Sequence, residues 1–174
     1  YCYSNGNFNI KKYASTDSID SIKKLELETD QNVFSNCGIA HTRWATHGGK
    51  TDSNSHPHMS YDGKICIVHN GIIENFDILK KYLIEKGIEF KSQTDTEVIS
   101  NLLAYNYSNT DDFIKALKNT LKMLEGTWGL AIMVLDIPNK IFAVRHGSPL
   151  LVSTGNDLVM VSSEQSGFHG LANN

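Results

Sequence analysis

CGIAHTRWATHGG, residues 37–49, begins as a short apolar strand at Gly38-Ile39-Ala40 and then turns polar. Arg43 brings a planar fork of donors suited to a carboxylate, and Trp44 brings a large flat wall. Thr46 and His47 add two more polar groups, and Gly48-Gly49 closes the stretch with backbone angles other residues cannot adopt. An apolar strand feeding a polar loop with a glycine hinge suits the gripping of a small molecule. The alternative is an ordinary strand end, with Arg43 stacked on a ring at the surface.

Working outward, 174 residues make one domain with room for a sizeable core. A hydrophobic share of 40% and a charged share of 20% belong to a globular chain. A net charge of −3 with no basic run argues against a nucleic-acid surface. No apolar stretch is long enough to span a bilayer and no signal peptide opens the chain, so no membrane partner is expected. Cys2, Cys37 and Cys66 form no C-x-x-C pair, which favours free thiols in a reducing compartment, with the cytoplasm as the default. The opening Tyr1-Cys2-Tyr3-Ser4 has neither Met nor a capping signal, and residues 166–174 stop just after a strand and turn. The expectation is a fragment.

The remaining periodicities give the element order. A strand is expected over Phe8–Ala14 after a turn at Ser4-Asn5-Gly6. A helix is expected over Thr16–Thr29, with Ile19, Ile22 and Leu25 in step and Asp17 and Asp20 in its first turn. Thr51–Pro57 reads as a polar loop that exposes His56 and His58. Lys64–His69 is a nearly continuous apolar run, a strand covered on both faces. Three helices follow. Asn75 opens one with Phe76, Leu79 and Leu83 inward and a stop at Gly87. Thr94–Glu97 is a capping box opening a second, with Val98, Ile99, Leu102 and Leu103 inward. Thr110–Asp112 opens the third, with Phe113, Ile114, Leu117, Leu121 and Leu124 inward and Gly126 as the stop. Strands at Trp128–Leu135, Lys140–Arg145, Leu150–Ser153 and Leu158–Ser162 then read as an antiparallel meander. Strands that are apolar on both faces need helices outside them, so the class is α+β in layers.

Two further stretches carry possible chemistry. In Val68–Asn75, Asn70-Gly71 is either the two-residue turn of a hairpin or a pair of donors aimed at one oxygen, an oxyanion hole. In Ser92–Glu97, Asp95 either serves the capping box alone or holds an ammonium group. With Arg43 on a carboxylate, Asp95 would complete recognition of a free amino acid. His41, His47, His56, His58 and His69 invite a metal, but no H-E-x-x-H helix or Cys/His finger spacing supports one. No G-x-S-x-G elbow supports a serine triad. No metal and no cofactor are expected.

The runs GIAHTRWATHG, NSHPH, HNGIIEN and TDTE, in this order and at this spacing, closely resemble the glutaminase domain of the glutamine–fructose-6-phosphate aminotransferase family, class II glutamine amidotransferases. The similarity runs from about Asn5 to Ser163. Amidotransferases acting on phosphoribosyl pyrophosphate are similar around Asn-Gly but lack Trp-Ala-Thr-His and His-Pro-His in this form. The resemblance implies an N-terminal-nucleophile hydrolase-like fold, a four-layer αββα sandwich of two antiparallel sheets. It implies hydrolysis of the glutamine side-chain amide, with ammonia passed to a sugar-phosphate isomerase domain C-terminal to this one, through which homo-oligomers would form. Carried over by residue, Arg43 would bind the glutamine carboxylate and Asp95 its α-amino group. Thr46 and His47 would line a closing loop, Asn70 and Gly71 would form the oxyanion hole, and Trp44 would gate the ammonia path.

One departure stands out. The resemblance implies a cysteine nucleophile at the first position of the mature chain, followed by Gly-Ile, whose own α-amino group is the base. Cys37-Gly38-Ile39 has that tripeptide but is internal, and Cys2 is followed by Tyr3. The expectation is a single domain over 1–174 lacking its nucleophile segment and its C-terminal end, inactive by itself. The rival readings are another class II amidotransferase and a glutamine-binding module that senses the amino acid without cleaving it.

Overall fold

The computed structural model describes residues 1–4, 6–29, 35–43, 48–155 and 157–170. At its centre is a four-stranded antiparallel sheet of β4 (His58–Met59), β5 (Ile65–Ile73), β6 (Gly126–Val134) and β7 (Ile137–His146), in that order. β5 and β6 pair along their whole length, from Ile65 opposite Val134 to Ile73 opposite Gly126. Successive side chains of a strand point to opposite faces, and here the two faces feed two cores. Ile65, Ile67, Ile73, Leu130 and Ile132 join the larger cluster with the helices. Cys66, Val68 and Met133 join a smaller one with Cys2 and Ile39. The continuous apolar run of β5 is therefore two interleaved stripes, each with its own cover.

The helical cover consists of α2 (Phe76–Glu85), α3 (Asp95–Ser108) and α4 (Phe113–Met123). α3 lies deepest: every residue from Asp95 to Ala104 is buried. The expected inward residues Leu79, Leu83, Val98, Ile99, Leu102, Leu103, Phe113 and Leu117 are all in the core, but Ile114 is 46% exposed. The opposite face of the sheet is covered by a smaller sheet of β1 (Cys2–Ser4), β2 (Phe8–Ile10) and β3 (Gly38–Ile39), ordered β2-β1-β3. The result is an α+β sandwich of stacked antiparallel sheets, the class expected from the pattern.

Several boundaries differ from expectation. The strand expected over Phe8–Ala14 is β2 and ends at Ile10, an unexpected β1 precedes it, and α1 spans only Ser21–Glu28. Asp20 is its N-cap, accepting from the N–H groups of Ile22 and Lys23, and the first turn holds no acid. α1 buries no residue, and Ile22 is 53% exposed, so a three-residue step of apolar positions there did not mark a core face. β8 (Leu151–Thr154) and β9 (Val159–Ser162) pair only with each other among the described residues, so the meander stops at β7. Gly126 does not stop a helix; it opens β6 at φ 114°. No described helix is long and apolar enough to cross a membrane.

Candidate active site

β5 does not turn at Asn70-Gly71: it runs straight through to Ile73, with Asn70 opposite Gly129 and Gly71 opposite Trp128. The hairpin reading is thereby overturned. Asn-Gly is a strong turn signal only when the following residues lack a strand partner, and here β6 supplies one for each of them. Gly71 has φ 135°, and a Cβ there would lie 2.1 Å from the Thr127 carbonyl oxygen. No other residue fits so close an approach.

Beyond the short β4, the outer edge of β5 is met by side chains in place of a strand. The His69 N–H donates to Nδ1 of His56 at 3.3 Å, and the Ile73 N–H donates to Oδ2 of Asp95 at 2.9 Å. Strand alternation puts the N–H of Gly71, midway between these two, on the same edge. A cavity of about 170 Å³ opens there, lined by His41, Thr42 and Arg43 after β3, by His56, by His69, Asn70 and Gly71 of β5, and by Thr94, Asp95 and Thr96 at the start of α3.

Of the residues picked from the sequence, Arg43, Asn70, Gly71 and Asp95 thus meet at one recess. Trp44, Thr46 and His47 lie outside the described residues. Arg43 donates from Nη1 and Nη2 to the carbonyls of Gly49 and Gly48, each at 3.3 Å. Gly49 is held in turn by the buried Asn54, whose amide nitrogen donates to the Gly49 carbonyl and to Oε1 of Gln93, while its oxygen accepts from the Gln93 N–H. Burial pushes the Arg43 pKa down, against the pull of Asp95. The capping box is only half built. Thr94 caps the N–H of Glu97, but the Glu97 carboxylate turns away to accept from the N–H groups of Lys91 and Ser92 and from the Ser92 hydroxyl. Asp95 is left to face the cavity.

His56 and His58 are not on an exposed loop; they are 7% and 2% exposed. His41 stacks on His56 with ring centroids 4.1 Å apart, and His56 meets His58 edge-on at 5.0 Å. Burial holds all four nearby imidazoles, His41, His56, His58 and His69, below the usual histidine range. His58 is pushed down to about 3, by burial first and then by Lys12. For His69 the Asp95 carboxylate, 3.9 Å from Nδ1, opposes that fall. Neutral imidazoles carry one proton each, and their partners say where. His56 accepts at Nδ1, so its proton is on Nε2. His69 faces the Thr127 carbonyl with Nε2 at 3.3 Å and the Thr96 hydroxyl with Nδ1 at 3.1 Å, so Nε2 carries its proton. His41 Nε2 lies 2.7 Å from Oδ1 of Asn70.

The recess combines a guanidinium, a carboxylate, an amide and a strand-edge N–H, a set that can hold a zwitterion and a developing oxyanion. Among the described residues it is lined by no thiol: Cys2 and Cys66 lie in the smaller core, and the Cys37 carbonyl accepts from the Ser35 hydroxyl at 2.9 Å. Burial raises the pKa of Cys37 and raises that of Cys66 further, the reverse of activation. In the sequence His41, His56 and His69 stand out only as metal-ligand candidates that no ligand spacing supports, which leaves their places around the cavity unread. A signal existed for His69, since a polar residue closing a strand covered on both faces needs a partner. None existed for His56, whose partner is a backbone N–H.

Residues 41–170 match the family described as a glutamine amidotransferase domain. The chain is 46% identical over 160 residues to a glutamine–fructose-6-phosphate aminotransferase (isomerizing) of Caldanaerobacter subterraneus subsp. tengcongensis, covering 92% of this chain and 25% of that protein. It is 43% identical over 169 residues to the protein of the same name from Pyrococcus horikoshii, covering 96% and 27%. The chain thus spans about a quarter of the length of these relatives. Among solved structures, a glutamine phosphoribosylpyrophosphate amidotransferase from B. subtilis complexed with ADP and GMP is similar at a TM-score of 0.60 and 26% identity, over 74% of this chain and 28% of that one.

Proposed function

We propose, from the premise that the chain belongs to the glutamine amidotransferase domain family, that it is the glutaminase part of a cytoplasmic glutamine–fructose-6-phosphate aminotransferase. It hydrolyses the side-chain amide of L-glutamine and hands ammonia to a sugar-phosphate isomerase domain. The observation that carries the reading is the meeting of Arg43, Asp95, Asn70 and Gly71 at one recess. Arg43 takes the α-carboxylate in its bidentate fork, and Asp95 takes the α-ammonium. That leaves the side-chain amide toward β5, where the Asn70 amide and the Gly71 N–H receive the oxygen as it becomes negative. The roles that the resemblance implies for Thr46 and His47, lining a closing loop, and for Trp44, gating the ammonia path, complete the proposal.

In this reading the attacking thiol is none of Cys2, Cys37 and Cys66: among the described residues no cysteine borders the recess, and burial raises the pKa of Cys37 and Cys66. The leading alternative within the class, an enzyme acting on phosphoribosyl pyrophosphate, is disfavoured by identities of 42–47% to relatives of the first kind against 26% to the second.

Kinetics on the full-length protein test the assignment. Arg43→Lys keeps the charge but loses the fork, and Asp95→Asn removes the partner of the ammonium. Each is expected to lower kcat/KM for glutamine by roughly 10-fold or more, as expected for charge-assisted bonds worth about 1.5–3 kcal/mol. Cys37→Ala is expected to leave turnover unchanged. Wild-type kcat/KM in both clamp variants, or loss of activity in Cys37→Ala, would refute it.

A further inference from the structure

We infer that His41 is a positioning residue for the Asn70 amide: stacked on His56, it donates its Nε2–H to Oδ1 of Asn70 and so turns the amide nitrogen toward the cavity. The inference rests on the glutaminase reading, because it concerns the donor that reading assigns to Asn70. The two ends of a carboxamide have nearly the same shape and opposite chemistry. With the nitrogen facing the cavity, Asn70 stabilises a forming oxyanion; with the oxygen facing it, the same side chain repels one. Something must choose between the two, and a bond of 2.7 Å to His41 does so.

The choice holds only if His41 keeps its proton on Nε2. Nδ1 of His41 is buried and has no hydrogen-bond partner among the described residues. A proton placed there would leave a buried donor unsatisfied while breaking a short bond on the other side. The neutral ring therefore has one favourable tautomer, and burial, with His69 and Arg43 nearby, lowers its pKa against the pull of the Asn70 oxygen and the His69 backbone. The ring cannot swing aside, because its face lies on His56 at an interplanar angle of 21°. His56 is pinned by the N–H of His69, the residue preceding Asn70 in β5. The strand that carries the donor thus also carries the anchor of the device that aims it. Both histidines lie on loops, but the closed circuit from His69 to His56 to His41 to Asn70 gives the aim the stiffness of the sheet.

A double-mutant cycle on the full-length protein tests this, with glutamate release and thermal melting measured on the same samples. His41→Phe preserves the flat ring but removes the donor; kcat is expected to fall roughly 10–100-fold, short of the full loss of an oxyanion donor, with KM changed by less than about 3-fold. His41→Gln carries an amide nitrogen at the reach of Nε2 and is expected to restore most of kcat. In an Asn70→Ala background, His41→Phe is expected to cost less than about 3-fold more, because the group it acts through is gone. If His41→Phe melts below the assay temperature, His41→Asn, whose amide falls short of Asn70, takes its place with the same expectation. Costs that multiply across the cycle, no rescue by Gln, or an effect confined to KM would make His41 a packing residue and overturn the inference while leaving the glutaminase reading intact. A wild-type protein that releases no glutamate would instead overturn that reading, and the inference with it.

Discussion

Gly71 shows how little latitude one residue at this recess has. Its φ of 135° is open to glycine, and the Thr127 carbonyl sits where a Cβ would go. Gly126, diagonal to it across the ladder, repeats the situation against the Ile72 carbonyl at 2.2 Å. The two strands approach closely there because neither has a side chain in the way, and that approach places the edge of β5 against the cavity. Gly71→Ala must move a strand or strain its backbone, at a cost of roughly 2–5 kcal/mol. Urea denaturation is expected to show a lower midpoint with an unchanged slope, and the folded fraction is expected to lose glutamine turnover as the donor edge shifts. A midpoint within error of wild type would mean that β5 and β6 can separate at that point without penalty.

At the scale of an element, the start of α3 does two jobs with neighbouring acids. Asp95 accepts from β5 and faces the cavity, while the buried Glu97 gathers three donors of the 91–92 turn. Thr94 caps the helix and also meets Nε2 of His58 at 3.1 Å. The turn before α3 is thus held by the side chain of Glu97, and Asp95 is aimed by the turn. Removing a buried carboxylate strands all three donors, so Glu97→Ala is expected to cost roughly 3–5 kcal/mol, against about 1 kcal/mol for the lost cap in Thr94→Ala. Thermal melts of the two variants side by side give the order. A Thr94 variant that melts below the Glu97 variant would reverse the roles assigned here.

Across the whole molecule, the buried imidazoles couple folding to pH. His41, His56, His58 and His69 face one another, with Arg43 and Lys12 opposing their protonation and Asp95 favouring that of His69. Each has a folded pKa below its unfolded value of 6.5, reaching about 3 for His58. Below pH 6.5 the unfolded chain therefore binds more protons than the folded one, and stability rises with pH across that window. On acidification, stability is expected to fall from about pH 6.5 toward 3, and little change is expected from these groups above 6.5. Urea melts from pH 8 to 4 check the slope. His58→Gln removes one titrating ring and should make the acid limb shallower; an unaltered limb would place the acid sensitivity elsewhere.

The sequence by itself determined much of β5, β6 and β7, the three helices over them and the α+β class, because apolar period and capping chemistry are local. It held no sign of the two-residue β4. It also picked out Arg43, Asn70, Gly71 and Asp95, whose chemistry suits an amino acid whatever the fold. Tertiary structure alone decided that Asn70-Gly71 continues a strand, since a turn dipeptide yields when β6 offers a partner to each residue. It alone decided that Glu97 leaves the capping box for the 91–92 turn, and that α1 buries none of its residues, Ile22 included. The burial of His56 and His58 was likewise out of reach: TDSNSHP reads as a solvated loop, and only the open edge of β5, with a backbone N–H to satisfy, draws an imidazole into the interior.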